Sequence, residues 1–157
     1  MFRTICAVLA LALFLGGCAA HTTYPDVNRQ RMATLPYCYA KFDATLAWDV
    51  KDGGPGGIVV DGLLQNNRYV YMDNVEVWVA LVDAAGKTRA RSVAFIIPHQ
   101  LYQEEIAPFT VRLPVSAEPG SKLRFTYKYR GSDGGDDGAG GIGPWMQSFD
   151  AKIPATL

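Results

Sequence analysis

From residue 42 onward the chain alternates. Phe42, Ala44, Leu46, Trp48 and Val50 share one parity, while Asp43, Thr45, Ala47 and Asp49 take the other. A period of two held this long predicts a strand with one buried face. Asp52-Gly53-Gly54-Pro55-Gly56-Gly57 follows, a run that fits a turn and neither a helix nor a strand. Strand then breaker repeats to the end. Ile58 to Gln65 closes at Asn66-Asn67, and Val75 to Val82 closes at Asp83-Ala84-Ala85-Gly86. The second of these is apolar on both parities, as a strand in mid-sheet should be. In Arg89 to Ile97, Arg91, Val93, Phe95 and Ile97 share a side, and Pro98 ends the strand; Phe109 to Leu113 is stopped by Pro114. Leu123, Phe125, Tyr127 and Tyr129 alternate with Arg124, Thr126, Lys128 and Arg130, and Trp145 to Ile153 carries Trp145, Gln147, Phe149, Ala151 and Ile153 on one side.

Seven strands with turns at short spacing predict an all-β fold, an antiparallel immunoglobulin-like β-sandwich over residues 37–157. Gln100 to Ile106 fits a single helical turn. Ala19 to Pro36 is polar, shows no period of 2 or 3.6, and reads as a tether.

The N-terminus reads as an address. Arg3 supplies a positive start, and Ile5 to Leu15 is an uncharged apolar run of 11 residues. Crossing a bilayer takes about 20 apolar residues, so this run reads as a signal-peptide core. It ends in Leu15-Gly16-Gly17-Cys18, which resembles the lipobox of bacterial lipoproteins. The resemblance implies a signal peptide over residues 1–17, diacylglycerol on the Cys18 thiol, and a lipidated N-terminus and tether over 18–36. Two or more acyl chains make anchoring stable, so the membrane is the first expected partner. Ala19, where an Asp would signal retention, implies delivery to the outer membrane, facing the periplasm, in a Gram-negative cell.

Three further segments stand together: Val60-Asp61-Gly62-Leu63-Leu64-Gln65-Asn66-Asn67, then Asn74 to Gly86, then Ala107-Pro108-Phe109-Thr110-Val111-Arg112-Leu113-Pro114. They resemble the FxLYD-type β-sandwich domain of bacterial envelope proteins over residues 58–130, with Val82 where that family has Tyr. The resemblance implies an immunoglobulin-like fold and an envelope setting. It carries no activity, because its motif residues shape turns and fill cores: Gly62 for close packing or a bulge, Asp83 and Gly86 for a turn, Phe109 for the core.

Charge and chemistry narrow the picture a little further. Lys plus Arg equal Asp plus Glu at 15 each, and removing residues 1–17 leaves a net charge of −1, so nothing draws the chain to nucleic acid. With Cys18 lipidated and Cys6 in the signal, Cys38 is a lone thiol. It reads as a small buried hydrophobe between Tyr37 and Tyr39, or else as an intermolecular disulfide partner. Of the two histidines, His21 falls in the tether and His99 has no companion set for a triad or a metal, so neither an enzyme nor a cofactor is expected. Asp133, Asp136 and Asp137, on the Gly-rich loop 131–144, offer oxygens but match no calcium template. Tyr69, Tyr71 and Trp145, if exposed together, form a platform for a sugar ring or a protein; otherwise they cap the sandwich. The function expected is a non-catalytic interaction or assembly module on the envelope, with carbohydrate or peptidoglycan binding as the alternative.

Overall fold

The computed structural model describes residues 26–133 and 141–154, with Gly141 and Ile142 described by backbone alone. One short helix, α1 (Val27–Thr34), precedes β1 (Tyr37–Ala40), β2 (Ala44–Asp52), β3 (Ile58–Asn66), β4 (Tyr71–Val82), β5 (Thr88–Phe95), β6 (Gln100–Leu101), β7 (Ile106–Leu113), β8 (Lys122–Ser132) and β9 (Gly141–Lys152). Two antiparallel sheets result. The first has the order β1-β2-β3-β7, the second β5-β4-β8-β9 with β6 also paired to β4. They stack as the predicted immunoglobulin-like sandwich. Leu46, Trp48, Val60 and Leu64 of the first sheet meet Val77, Val79, Phe125 and Tyr127 of the second in one core. Each large apolar side chain buried there stabilises the fold by roughly 1.5–3 kcal/mol.

The alternation is realised most faithfully in β8, whose Leu123, Phe125, Tyr127 and Tyr129 are all buried. β4, apolar on both parities, lies between β5 and β8 as expected. Its outward Trp78 is flanked by Arg91 and Lys128, 4.9 and 5.3 Å from the ring, and its Nε1 donates to Glu76 Oε2 at 2.6 Å. Gly62 is demanded by packing: a Cβ there would lie 2.5 Å from Phe109 Cζ and 2.6 Å from the Ala47 carbonyl oxygen. Asp83 shapes its turn by accepting from the amides of Ala85 and Lys87, and Gly86 takes a φ of +85°. Gly62, Asp83 and Gly86 thus serve close packing and a turn in this chain.

Several expectations are corrected. The polar segment Ala19 to Pro36 is not all tether, because its second half is α1. The Asp26 carboxylate caps it by accepting from the Arg29 amide at 3.1 Å, and Pro36 lies just past its end. The helix lies over the outer face of the first sheet, where Asn28 Nδ2 donates to the Ile106 carbonyl at 3.1 Å and Arg31 Nη2 to Asp61 Oδ2 at 2.7 Å. Ala47 and Leu63 are buried on this outward parity. Cys38 is exposed rather than buried: pairing with Ala47 turns it to the outer face, while Tyr37 and Tyr39 turn inward. Phe42 does not begin a strand; it stands 67% exposed in the β1–β2 turn, and Asp43, on the supposedly wet parity, is buried. The parity Arg91, Val93, Phe95 and Ile97 faces outward, with Ala90, Ala94 and Ile96 packed inward. Instead of one helical turn, Gln100 to Ile106 contains β6 and a turn in which Glu104 has a φ of 63°. β1 and β6 raise the strand count to nine among the described residues.

The registers define two ends. At the upper end lie the start of β2, the end of β3, the starts of β4 and β7, the end of β8 and the start of β9. The N-terminus of α1, held to Ile106, is also there. The lower end holds the turns at Gly53–Gly57, Asp83–Gly86 and Glu118–Ser121. Phe95, level with Glu76, and Met146, level with Lys128, are exposed just above mid-height.

Candidate functional site

Two successive asparagines build the upper end. Asn66 is fully buried; its Nδ2 donates to the carbonyls of Val70 and Leu101 at 2.9 and 3.0 Å, and its Oδ1 accepts from the Arg68 amide at 2.8 Å. Its backbone exchanges hydrogen bonds with Glu104 and Glu105. Asn67 reaches the other way, its amide donating to the Asp43 carbonyl and its Nδ2 to the Lys41 carbonyl at 2.8 Å. The pair clamps the β3–β4 loop to the β1–β2 turn and to the 102–105 turn, and so fixes the backbone that carries Arg68 and Tyr69.

Beneath that clamp Asp43 is 3% exposed and accepts from the hydroxyls of Tyr127 at 2.9 Å and Tyr129 at 3.1 Å. A buried carboxylate is tolerable because both oxygens are engaged. Burial and the Asp43 carboxylate push the Tyr127 hydroxyl far above the usual phenol range. Burial raises the Tyr129 hydroxyl to about 12, Asp43 adding to the rise and Arg68 opposing it. The Arg68 guanidinium lies 5.3 Å from the Trp145 ring centre and 5.9 Å from that of Phe42. Trp145 meets Phe42 edge-on at 5.8 Å and stacks on Tyr129 at 6.5 Å. Arg68 Nη1 is buried without an acceptor. The arrangement is a cation set between aromatic rings above a buried carboxylate held by two phenol hydroxyls. It suits contact by stacking and cation–π attraction, and contains no nucleophile next to a base.

The residues picked from sequence are spread around this end. Tyr69 projects from the β3–β4 loop, 81% exposed. Tyr71, half-buried at the start of β4, packs edge-on against Tyr102 at 4.9 Å. Trp145 sits opposite Tyr129 in β9 with roughly a third of its surface exposed. The three share an end but make no ring contact with one another. Asp133 is exposed just past β8; Asp136, Asp137, Cys18 and the signal peptide lie outside the described residues. His99 is exposed, and among the described residues no three His, Cys, Asp or Glu side chains gather as metal ligands would. Sequence reasoning missed Phe42, Asp43 and Arg68. A signal for Asp43 was present: Tyr127 and Tyr129 on a buried parity require hydrogen-bond partners for their hydroxyls.

No protein-family model matches the chain, and no curated protein does. Among solved structures it is similar to the GAE domain of GGA2p from Saccharomyces cerevisiae, with a TM-score of 0.48 and 7% identity over 77% of this chain and 100% of that one. It is also similar to the GAE domain of yeast GGA1, with a TM-score of 0.46 and 9% identity over 74% of this chain and 96% of that one. At these identities the likeness is one of fold and says nothing of what this chain binds.

Proposed function

We propose that this chain is a lipoprotein of the bacterial envelope, anchored through lipid on Cys18, whose sandwich serves as a non-catalytic interaction or assembly module. The observation that carries the reading is the order along the N-terminus: Arg3, an apolar run of 11 residues ending at Leu15, then Gly16-Gly17-Cys18. Helix α1 supports it. Its N-cap Asp26 stands only eight residues past Cys18, so a lipid there would hold the folded body close to the membrane. Outer-membrane delivery follows from Ala19, and the resemblance to FxLYD-type domains fits the same envelope setting.

Metabolic labelling with a clickable fatty acid tests the anchor: label is expected on the wild type and lost in Cys18→Ala. An unlabelled wild type, or equal label on the variant, overturns it. For the module, a photo-crosslinker placed at the exposed Phe95 is expected to trap a recurrent envelope component in intact cells, and a clean negative counts against it. Carbohydrate or peptidoglycan binding is the second reading, favoured by the exposed Tyr69 and partly exposed Trp145. It is weaker, since Tyr71 is spent on Tyr102 and the three rings form no common platform. Failure of purified cell wall to retain the protein removes it.

A further inference from the structure

The exposed apolar side chains of this sandwich are not scattered. All eight large ones among the described residues lie in the upper half; Val27, Phe42, Tyr69 and Tyr102 ring its end, with Ile97 and Trp145 just below, Trp145 against Phe42. Val27 is 70% exposed and Ile97 72%, values usual for lysine rather than for aliphatic residues. Lys41 lies 5.8 Å from the Tyr39 ring and Arg68 stands between Phe42 and Trp145, so cations are interleaved with the rings. Aromatic rings edged with Lys and Arg are the composition of a protein surface seated at a membrane–water boundary, where the ring bodies enter and the charges reach for the headgroups.

The same end is where the chain leaves for its N-terminus. Asp26 caps α1 beside Glu104 and Ile106. The eight residue steps from Cys18 to Asp26 span at most about 29 Å however they are arranged. The sandwich is longer than that, since β4 with its 12 residues extends about 36 Å. A lipid on Cys18 therefore cannot be reached with the lower end down, and the apolar rim lies within the anchor's reach of the bilayer.

We propose that the upper rim docks on the bilayer that holds the lipid anchor, with Phe42, Tyr69 and Trp145 seated in the headgroup region and the lower turns pointing away. The proposal rests on lipidation of Cys18, and the experiment separates the two. The full-length lipidated protein is reconstituted into vesicles of phosphatidylethanolamine and phosphatidylglycerol carrying brominated acyl chains. Trp48→Phe with Trp78→Phe leaves Trp145 as the reporter, and Trp48→Phe with Trp145→Phe leaves Trp78. A rim seated ~5–10 Å into the boundary brings Trp145 near the bromines, so its emission falls by about half while that of Trp78 holds. Because Trp48 is a core residue, a second measurement leaves the core alone. On a Cys38→Ser background, an environment-sensitive fluorophore at Tyr69→Cys is expected to shift blue on vesicles, and the same fluorophore at Ala85→Cys is not. Protein that floats with the vesicles but shows neither quenching at Trp145 nor a shift at residue 69 overturns the docking and leaves the anchor standing. Protein that fails to float overturns the anchor, and the docking with it.

Discussion

The two ends of this sandwich are closed by different chemistry. At the lower end each turn is closed by its own residues: the amide of Gly57 donates to the Gly54 carbonyl, that of Gly86 to Asp83, and that of Ser121 to Glu118. Glycine supplies the positive φ at Gly54, Gly56, Gly86 and Gly120, and no large apolar side chain is exposed there among the described residues. At the upper end the bonds that matter run between distant parts of the chain. Asp43 meets Tyr127 and Tyr129, Asn66 meets Leu101, and Asn67 meets Lys41. Local turns can be altered one at a time, whereas a shared polar frame fails together. The upper end is thus both the more constrained in its interior and the more apolar at its rim.

The strongest test of that contrast is Asp43→Ala. It leaves two phenol hydroxyls buried without acceptors, and each orphaned group costs about 1–3 kcal/mol, so a loss of about 3 kcal/mol is expected in urea unfolding. Asn66→Ala, which strips two carbonyls and one amide of their partner, is expected to cost about 2 kcal/mol. A loss below about 0.5 kcal/mol in both would mean that the polar frame does not hold the upper end.

Alkaline pH probes the same frame without mutation. The Tyr129 hydroxyl titrates near 12 in the fold against an ordinary value of 10.0, so the folded state prefers its proton. That preference contributes fully below pH 10 and is lost as pH rises from 10 through 12. Stability is expected to fall across that window, and Tyr129→Phe to flatten the fall. Urea midpoints measured at pH 9, 10 and 11 check this, and parallel slopes for wild type and variant would speak against it.

At the lower end the effects should be smaller. Asp83→Ala removes the acceptor of two turn amides but leaves them near solvent, and about 1 kcal/mol is expected. Gly86→Ala forces a side chain onto a φ of +85° with open space around it, again about 1 kcal/mol. Losses equal to that of Asp43→Ala would erase the distinction between the ends.

The contrast also explains what could be read from the sequence. Lower-end turns announce themselves because the residues that make the bonds are adjacent: Asp52 to Gly57 and Asp83 to Gly86 are visible as strings. Strand interiors are visible for the same reason, and the buried parity of β8 needed no structure. Upper-end features depend on pairings that sequence order hides. Asp43 looked wet because alternation was carried two residues ahead of the true start of β2, and Arg68 was missed because its neighbours Phe42, in the β1–β2 turn, and Trp145, in β9, are distant in the sequence. Helix α1 escaped because Val27–Thr34 has no apolar stripe; only Asp26 before it and Pro36 after it marked its bounds. Cys38 was misplaced because β1 was not recognised, and with it the rule that puts Cys38 opposite its neighbours Tyr37 and Tyr39.

The smallest expected effect is the one that separates rim from frame. Tyr69 is 81% exposed and Phe42 67%, and neither contributes to the buried core. Tyr69→Ser should leave the urea midpoint within about 0.5 kcal/mol of wild type, as ordinary surface substitutions do. Phe42→Ser should cost little more, since it gives up only an edge contact with Trp145 and the neighbouring Arg68. Apolar groups retained at such exposure without stabilising the fold are groups available to another surface, and an isolated patch of this kind marks an interaction site. If instead Phe42→Ser destabilises as much as Asp43→Ala, then Phe42, Arg68 and Trp145 are the roof of the polar frame. The rim would then belong to the fold and not to whatever the upper end touches.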